Sequence, residues 1–379
     1  MVKAKMIRRL LLLTIVLLLF LTSGCGYKDI DKRFFVVSIG VDKSKEENKY
    51  DVTLKLAVPS NESKSGSDEA KIITESAQSI SEAVRLMKSK VDKEFDFSHA
   101  KVIVFGEELA KGEDLEHIFD WFERRRDIKD IAWAAIGSPT ALEVLEAKPV
   151  GERIPSNSLF LTFSSAGTET PYIHTVYLFD FTRKQVERGV SPILPIIKTE
   201  ENELAINTIS IFSNMKVALV LEKEQTKFLN MLMVHVSKFD IRVDNEDNSP
   251  YFIFSTDNVK ANYDLIVNEK SPSKISYKIK VNGVVEEAFD DLEDTKIKEY
   301  EKLLEKQLES KILDLLMQLQ KEKVDPIGFG LKYRAMNKGK ESEKIETWNN
   351  IYSNLEFDIN VTAEMDHVGV IHDEEELPE

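Results

Sequence analysis

The chain has a single cysteine, Cys25, among its 379 residues. One cysteine cannot form an internal disulfide, so the fold must be stabilised by burial of apolar side chains. Hydrophobic residues make up 42% of the sequence and charged residues 31%, a composition typical of folded globular chains that excludes general disorder. A chain of this length exceeds what one hydrophobic core usually serves, and we expect two or three domains.

The sequence also lacks the motifs of common enzyme classes. It has no H-E-x-x-H, no Cys/His cluster, no G-x-S-x-G elbow and no G-x-x-x-x-G-K-[ST] phosphate loop. Of the six histidines only His367 and His372 are close in sequence, and we predict that they are solvated or capping residues. The glycine pair Gly328 and Gly330 lacks the lysine that phosphate binding needs and predicts a turn after a helix. Nothing in the sequence therefore looks like an active site, and we predict no metal and no cofactor.

Positive charge is scarce, because 51 Lys and Arg residues stand against 66 Asp and Glu residues and give a formal net charge of −15. Removal of an N-terminal segment with four cations would leave about −19. An acidic chain is repelled by nucleic acid and by anionic lipid surfaces. We expect no nucleic-acid partner and a body that stands off the membrane. The acidic run in residues 373–379 predicts a solvated tail.

The longest apolar run lies at the N-terminus, where residues 10–21 follow four Lys and Arg residues and precede the small residues 22–24. A positive flank, a short apolar run and small residues form a secretory signal peptide. A membrane-spanning helix needs about 17–25 predominantly apolar residues, so this run is short for one. An uncleaved membrane anchor is the alternative.

The stretch LTSGC, residues 21–25, resembles the lipobox of bacterial lipoproteins, although Thr22 departs from the leucine that is commonest at its position. In that family the signal is cut before the cysteine, and the thiol receives a diacylglyceryl group. The resemblance implies a lipoprotein signal peptide over residues 1–24, lipidation of Cys25 and a lipidated tether over residues 25–32. A chance cysteine after an ordinary signal is the alternative. Two acyl chains suit a permanent anchor, because one chain binds a membrane only marginally.

Hydrophobic periodicity over the first half predicts strands alternating with amphipathic helices. A charged turn between the first two strands predicts a hairpin. Residues 60–70 are predicted to be a polar loop, and residues 148–197, with five prolines, an irregular connection with short elements. This order predicts a mixed sheet with helices packed against it. The predicted strands are 33–43, 49–60, 100–106 and 131–137, and the predicted helices are 77–93 and 113–126.

The second half predicts a strand that runs into a short helix, several alternating strands and one long helix. Strict alternation in residues 273–282 indicates a sheet with one wet face, which is typical of antiparallel pairing, and Asn282-Gly283 is a turn signal. The long helix at 295–323 and the long strand at 355–366 are expected to pack together. The other predicted strands are 251–256 and 259–268, and the strand and helix pair covers 215–232.

These patterns predict an α+β fold with several mixed α/β domains. We expect predominantly antiparallel or mixed sheets with packed helices, including one long C-terminal helix. The predicted division is an N-terminal α/β region at 33–200, in one or two subdomains, and a C-terminal α/β domain at 205–372. The tryptophans Trp121, Trp133 and Trp348 lie on apolar-periodic segments or at an element start, so they are predicted to be core residues.

Several stretches together resemble the Ger(x)C lipoproteins, the C subunits of spore germinant receptors. They occur in the order of that family over nearly all of the chain that follows the signal. The sequence differs from the usual family pattern at two places, which bear on the subtype within the family. Gly26-Tyr27 replaces the usual Trp-Asp after the cysteine, and the glycine ahead of the mid-chain strand at 207–212 is missing. The matching stretches are DIDKRFFVVSIGVDK, YDVTLKLAVPS, FSHAKVIVFGEELAK, GVSPILPII, KISYKIKVNGVVEE, VDPIGFGLKYR and ETWNNIYSNLEFDINVTAEMDHVGVI.

The resemblance implies a non-enzymatic scaffold or signalling subunit that works with two polytopic membrane subunits, A and B, in nutrient-triggered spore germination. It also implies lipid anchoring to the outer face of the spore inner membrane. We do not expect the chain to bind the germinant itself. Asp325, Gly328, Gly330 and Trp348 match a motif of the family, and we interpret them as structural. The alternative is a solute-binding lipoprotein of a transporter, which would have two similar α/β lobes.

Overall fold

The structure is a computed structural model, and its α+β fold is built from two mixed sheets with packed helices. One sheet is formed by strands between residues 33 and 221, and the other by strands between residues 239 and 365. The predicted fold class is thereby confirmed. The structure describes residues 6–9, 14, 32–57, 70–112, 115–149, 157–164, 170–201, 203–233, 238–245, 249–268, 272–289 and 292–366.

The first half forms a central group of parallel strands flanked by antiparallel ones. The strand β1 (Arg33–Lys43) pairs antiparallel with β2 (Tyr50–Ala57), so the predicted hairpin is confirmed. Its other edge is parallel to later strands, which follow helices as crossover connections require. The remaining elements up to residue 146 are β3 (Ala70–Ala77), α1 (Ile80–Lys88), β4 (Glu94–Asp96), β5 (Val102–Gly106), α2 (Glu107–Lys111), α3 (Leu115–Glu123), β6 (Trp133–Ser138) and α4 (Ala141–Glu146).

Two short helices lead to three further strands of the same sheet: α5 (Asn157–Phe163), α6 (Leu178–Val186), β7 (Ile193–Glu200), β8 (Glu203–Ser213) and β9 (Lys216–Leu221). In the described part of the chain the strand order is β3-β2-β1-β5-β6-β7-β8-β9, with β4 paired to β1. The predicted boundary, between residues 200 and 205, includes the turn between β7 and β8 and the first residues of β8. The sheet itself continues through that turn to Leu221.

The second sheet has the order β10-β11-β12-β13 and is covered by the longest helix. Its elements are α7 (Lys223–Met233), β10 (Phe239–Asp244), β11 (Pro250–Ile266), β12 (Lys274–Ala288), α8 (Ile297–Lys321), α9 (Phe329–Met336), α10 (Glu341–Tyr352) and β13 (Glu356–Met365). The predicted long helix and final strand are both confirmed. Among the described helices, none is both long and apolar enough to cross a membrane.

Three details of the second sheet differ from the predictions. The two strands expected at 251–256 and 259–268 form one strand, β11, with irregular register between Ser255 and Asn258. Asn282 and Gly283 lie inside β12 rather than in a turn, because Gly283 leaves room for the Ser255 carbonyl, which a Cβ atom would approach to 2.1 Å. Finally, β13 pairs with β12 in parallel, so the pairing on that side is not antiparallel.

The edge strand β13 is protected by a row of glutamates on α8. Four residues of a helix rise about 6.0 Å, close to the roughly 6.6 Å spanned by two strand residues, so side chains one helical turn apart can follow alternate strand positions. These carboxylates satisfy N–H groups that would otherwise invite pairing with another chain. Val361 N–H donates to Glu309 Oε1 at 3.0 Å, Ala363 to Glu305 Oε1 at 2.9 Å, and Met365 to Glu301 Oε1 at 3.1 Å.

The apolar stripe of α8 is buried in a core that includes residues of both sheets. A second, smaller core lies around Trp133 and the helices α4 and α5. Trp133 and Trp348 are buried and Trp121 is partly buried, as the sequence predicts. The buried apolar residues of α8 are Tyr300, Leu304, Leu308, Ile312, Leu315, Leu316 and Leu319.

We predict that Leu308→Ala lowers the free energy of unfolding by roughly 2–5 kcal/mol, because it leaves a cavity in a close-packed core. Leu308 is 0% exposed. Met317→Ala on the same helix is the control, since Met317 is 54% exposed. Urea denaturation measures both variants, and similar small effects of the two would contradict the burial of the stripe.

Candidate functional site

The predicted lipidation site, Cys25, lies outside the described residues, as do His367 and His372. The described chain resumes at Lys32, one residue before β1 begins. Among the described residues no group of three His, Cys, Asp or Glu side chains is placed to hold a metal ion. The search for a site therefore turns to clefts, helix termini and buried polar groups.

The carboxyl ends of parallel strands are where open α/β sheets usually bind ligands. Here that position is filled by the protein's own carboxylate. At the end of β1, Asp42 accepts hydrogen bonds from the N–H groups of Ala141 at 2.7 Å and Leu142 at 2.9 Å, which begin α4. Burial raises the pKa of Asp42, while the two N–H donors lower it. The helix terminus that could bind an anion is thus already capped.

Glycine at position 106 is required for this internal cap. Gly106 ends β5 next to Asp42, and a Cβ atom there would come within 2.0 Å of Asp42 Oδ1. Any larger residue would displace the carboxylate from the α4 terminus. The sequence contains no signal for this arrangement beyond a glycine after a buried strand.

A groove of about 650 Å³ lies where the segment 170–172 approaches the strands β10, β11 and β12. Its size is in the range of small-molecule sites. The side chains around it carry both signs of charge and include two aromatic rings. The lining residues are Thr170, Pro171, Tyr172, Lys238, Phe239, Asp240, Ile253, Ser255, Glu286 and Glu287.

A buried lysine beneath this groove has its charge fully paired. Lys227 of α7 is 1% exposed, and its Nζ lies 3.2 Å from both Asp240 Oδ2 and Glu224 Oε1. It also donates to the Tyr172 hydroxyl at 3.3 Å. Burial alone would lower the pKa of Lys227, but the two carboxylates raise it above its usual value. A lysine that stays protonated is not a nucleophile, so this cluster suits a structural role.

The segment beside the groove is pinned to α7 by a buried histidine. His174 Nδ1 lies 2.7 Å from Asn230 Oδ1, and Asn230 Nδ2 donates to the Pro171 carbonyl at 2.8 Å. Burial lowers the pKa of His174 from 6.5 to about 4, while the contact with Asn230 opposes that shift. His174 is therefore neutral in the folded protein at pH 7.

We predict that the His174 site makes stability depend on pH. Its folded pKa of about 4 lies below the ordinary 6.5, so between these values the unfolded chain binds a proton that the folded chain does not. Above pH 6.5 neither state is protonated at His174, and this site does not reduce the free energy of unfolding. As the pH falls from 6.5 to 4, protonation of the unfolded chain lowers the free energy of unfolding by about 3 kcal/mol. Urea denaturation of the wild type and of His174→Gln at several pH values measures it.

The quantity to compare is the difference in the free energy of unfolding between the wild type and His174→Gln. The effects of other titrating groups cancel in this difference. One such group is Asp325, whose raised pKa makes stability change in the opposite direction over the same pH range. The advantage of the wild type over His174→Gln should shrink on acidification. A difference that stays constant from pH 7 to pH 4 would contradict the burial of a neutral His174.

The motif VDPIGFG forms a tight turn around one buried carboxylate. Asp325 accepts hydrogen bonds from the N–H groups of Gly328 at 2.8 Å, Phe329 at 3.1 Å and Gly330 at 2.8 Å. Gly328 has φ +85°, a conformation that glycine adopts without strain. Burial raises the pKa of Asp325 to about 6, and the three N–H donors limit that rise. The turn begins α9 by capping its first N–H groups.

The same turn contacts the loop that precedes β7. The Asp325 N–H donates to Ser191 Oγ at 2.9 Å, and the Ser191 N–H donates to the Asp325 carbonyl at 2.8 Å. A Cβ atom on Gly330 would lie 2.7 Å from Gly189 Cα and 2.6 Å from Trp348 Nε1. The two glycines therefore let the two backbones touch. We call this contact of residues 189–191 with residues 325–330 the junction.

The structure thus brings together two stretches that the sequence analysis quoted separately, GVSPILPII and VDPIGFG. Asp325, Gly328, Gly330 and Trp348 have the structural roles that we predicted for them. The sequence analysis missed their partners, Gly189 and Ser191, because a contact between residues so far apart leaves no local pattern.

Comparison with known proteins matches two family models to successive parts of the chain. Residues 26–199 match the family model described as "Spore germination protein N-terminal domain". Residues 207–369 match the model "Spore germination B3/GerAC like, C-terminal". The two matches cover both sheets except residues 200–206, which include the turn between β7 and β8 and the start of β8.

Two curated relatives come from Bacillus subtilis (strain 168). Spore germination protein KC is 24% identical over 95% of this chain and 95% of its own length. Spore germination protein B3 is 22% identical over 94% of this chain and 97% of its own length.

The chain belongs to the Ger(x)C family of spore germination proteins. A solved structure, titled "Crystal Structure of the GerBC protein", has the same fold with a TM-score of 0.56 and 15% identity. That similarity covers 87% of this chain and 97% of the GerBC chain. The two Ger(x)C family models meet between residues 199 and 207, whereas the first sheet runs on to β9, so one continuous sheet spans both.

Proposed function

We propose that this Ger(x)C protein is the lipid-anchored, non-enzymatic C subunit of a spore germinant receptor, and that it serves as a scaffold or signalling partner for two polytopic membrane subunits, A and B. Membership of the Ger(x)C family is the observation that carries the receptor role. The filled helix terminus at Asp42 and the paired charge of Lys227 support a role without catalysis. The site of action would be the outer face of the spore inner membrane.

The lipid anchor is the first part of this proposal to test. Labelled palmitate should enter the wild-type protein and not Cys25→Ala, because the thiol is the point of attachment. The variant should also lose stable attachment to membranes after the signal is processed. Equal incorporation of label into both proteins would contradict lipidation at Cys25.

The partner subunits are the second part. Affinity purification of the tagged lipoprotein from spore membranes should recover two polytopic membrane proteins. Anchoring confines the chain beside such proteins and raises its effective concentration, so a modest interface suffices. Recovery of the subunits of a solute transporter instead would favour the alternative, a solute-binding lipoprotein.

Direct germinant binding is not part of the proposed role. The groove beside Tyr172 has a suitable volume, but its buried cation is already neutralised by Asp240 and Glu224. Titration calorimetry of the purified protein with millimolar amino acids, sugars and nucleosides should show no saturable heat. Saturable heat that disappears in a Tyr172→Ala variant would assign germinant binding to the groove.

A further inference from the structure

The lipid tether enters the fold at one particular end of the first sheet. The strands β4 and β5 run parallel to β1, and β6 runs parallel to β5, so the amino ends of all four point the same way. β4 begins beside Arg33, whereas β5 and β6 begin level with Ser38, five residues further along β1. Residues 25–32 span at most about 28 Å, which keeps this end close to Cys25. We call it the tether end, formed by the segments 32–33, 88–101, 124–132 and 177–179.

The tether end is basic although the chain as a whole is acidic. The three segments that lead into β1, β4, β5 and β6, namely 32–33, 88–101 and 124–132, carry ten Lys and Arg residues against five Asp and Glu residues. Their net charge of +5 leaves about −20 on the rest of the chain. The segment 187–192, which leads into the parallel strand β7, adds one residue of each sign.

Several of these cations form no ion pair with any residue that the structure describes. Arg126 and Lys129 are exposed and form no ion pair with any described residue. Lys93 is half-buried and Lys101 is exposed, and neither forms an ion pair with a described residue. Each contacts an aromatic ring instead, and the Lys101 Nζ lies 3.8 Å from the centre of the Phe160 ring. Cations left unpaired in an acidic protein are available to an anionic partner.

Exposed apolar side chains lie at the same end. The N–H of Leu178 donates to the Ala132 carbonyl at 2.8 Å, so residues 177–179 run beside the start of β6. The rings of Trp133 and Tyr177 stack at 6.2 Å, and those of Tyr177 and Phe179 at 5.7 Å. Ile131 is 62% exposed, Phe179 44% and Tyr177 38%. Aromatic rings beside lysines and arginines are the side chains that membrane interfaces favour.

We propose that the tether end is a membrane-contacting surface that rests on the anionic headgroup interface of the bilayer. This inference builds on the lipidation of Cys25 proposed above. Its uncharged aromatic rings enter the interface, while Arg126, Lys129, Lys93 and Lys101 face lipid phosphates. The acidic remainder of the chain is repelled by the same surface and points away, so charge and tether together set one orientation.

The attraction of these cations to anionic lipid is strong enough to orient the protein but too weak to anchor it. Each Lys or Arg close to an anionic leaflet raises the binding constant about fivefold, and the effect fades within a Debye length of about 8 Å. The lipid holds the protein at the membrane, and the basic end decides which side faces it. The net charge predicts a body that stands off the membrane, and our proposal departs from that expectation at the tether end alone.

The test uses the mature lipoprotein reconstituted into vesicles, with a fluorescent label on an introduced cysteine. Cys25 does not react with the label when it carries lipid, so Ile131→Cys is labelled at one position. Glu108→Cys is the control, because Glu108 is exposed at the opposite end of the sheet, with its side chain 78% accessible. Spin-labelled lipid in phosphatidylglycerol vesicles should quench the label at 131 and leave the label at 108 bright.

Charge reversal then separates orientation from simple tethering. Arg126→Glu with Lys129→Glu should reduce the occupancy of the quenched state by roughly tenfold or more. Lys302→Glu with Lys306→Glu changes the net charge equally on the exposed side of α8 and should leave quenching at 131 intact. High salt, or vesicles of neutral phosphatidylcholine, should reduce quenching at 131 as the Arg126 and Lys129 reversal does.

Equal quenching at 131 and 108, or quenching at 131 that ignores the Arg126 and Lys129 reversal, would overturn the proposal. The vesicles contain no other protein, so a tether end that instead faces a protein partner would give no quenching and would also overturn it. If Cys25 carries no lipid, the result is different, because the protein would not float with the vesicles. That result would overturn both the anchor and the orientation that depends on it.

Discussion

The contact between Gly189 and Gly330 is the constraint on which the rest of the structure depends. No side chain fits between these backbones, and Trp348 closes the space on the remaining side. The turn that presents Gly330 is held by the three N–H groups that donate to the Asp325 carboxylate. The loop that presents Gly189 is held to the same turn by Ser191. This junction joins the chain that enters β7 to the chain that leaves α8.

Because both neighbouring elements are buried, the junction links the two sheets into one packed body. The β7 strand lies within the first sheet, and α8 covers the second and closes its edge through Glu301, Glu305 and Glu309. The buried pair His174 and Asn230 ties the first half to α7 at a second place. Two halves joined at these places are suited to hold a position between membrane partners, as the proposed scaffold role requires.

Elements with strong local periodicity could be predicted from the sequence. The β1–β2 hairpin, α8 and β13 each repeat apolar residues at the period of their own structure. The strand β3 was missed, because it follows a Ser-rich run and only part of it is buried. The strand β7 was missed because Pro192 and Pro195 indicate irregular chain, although β7 accommodates Pro195 between β6 and β8.

The junction and the glutamate row could not be predicted from the sequence, because both depend on contacts between elements that are distant in the chain. Glu301, Glu305 and Glu309 have the spacing of an ordinary solvated helix face, and only the parallel placement of β13 beside α8 gives them partners. Asp325 and Gly330 could be recognised as structural from the family motif, but their contact with Gly189 and Ser191 depends on the whole fold. Net charge likewise says nothing about where the charges lie, and only the strand pairing shows that the basic segments 88–101 and 124–132 lead into neighbouring parallel strands.

Differential scanning calorimetry of the wild type and of Gly330→Ala tests the central claim most directly. If the junction makes the two sheets one cooperative unit, the wild type shows one transition whose calorimetric and van't Hoff enthalpies agree. In Gly330→Ala the added methyl group crowds Gly189 and Trp348, which should cost about 1–3 kcal/mol and separate the melting of the two sheets. Two independent transitions in the wild type, or an unchanged single transition in Gly330→Ala, would contradict the account.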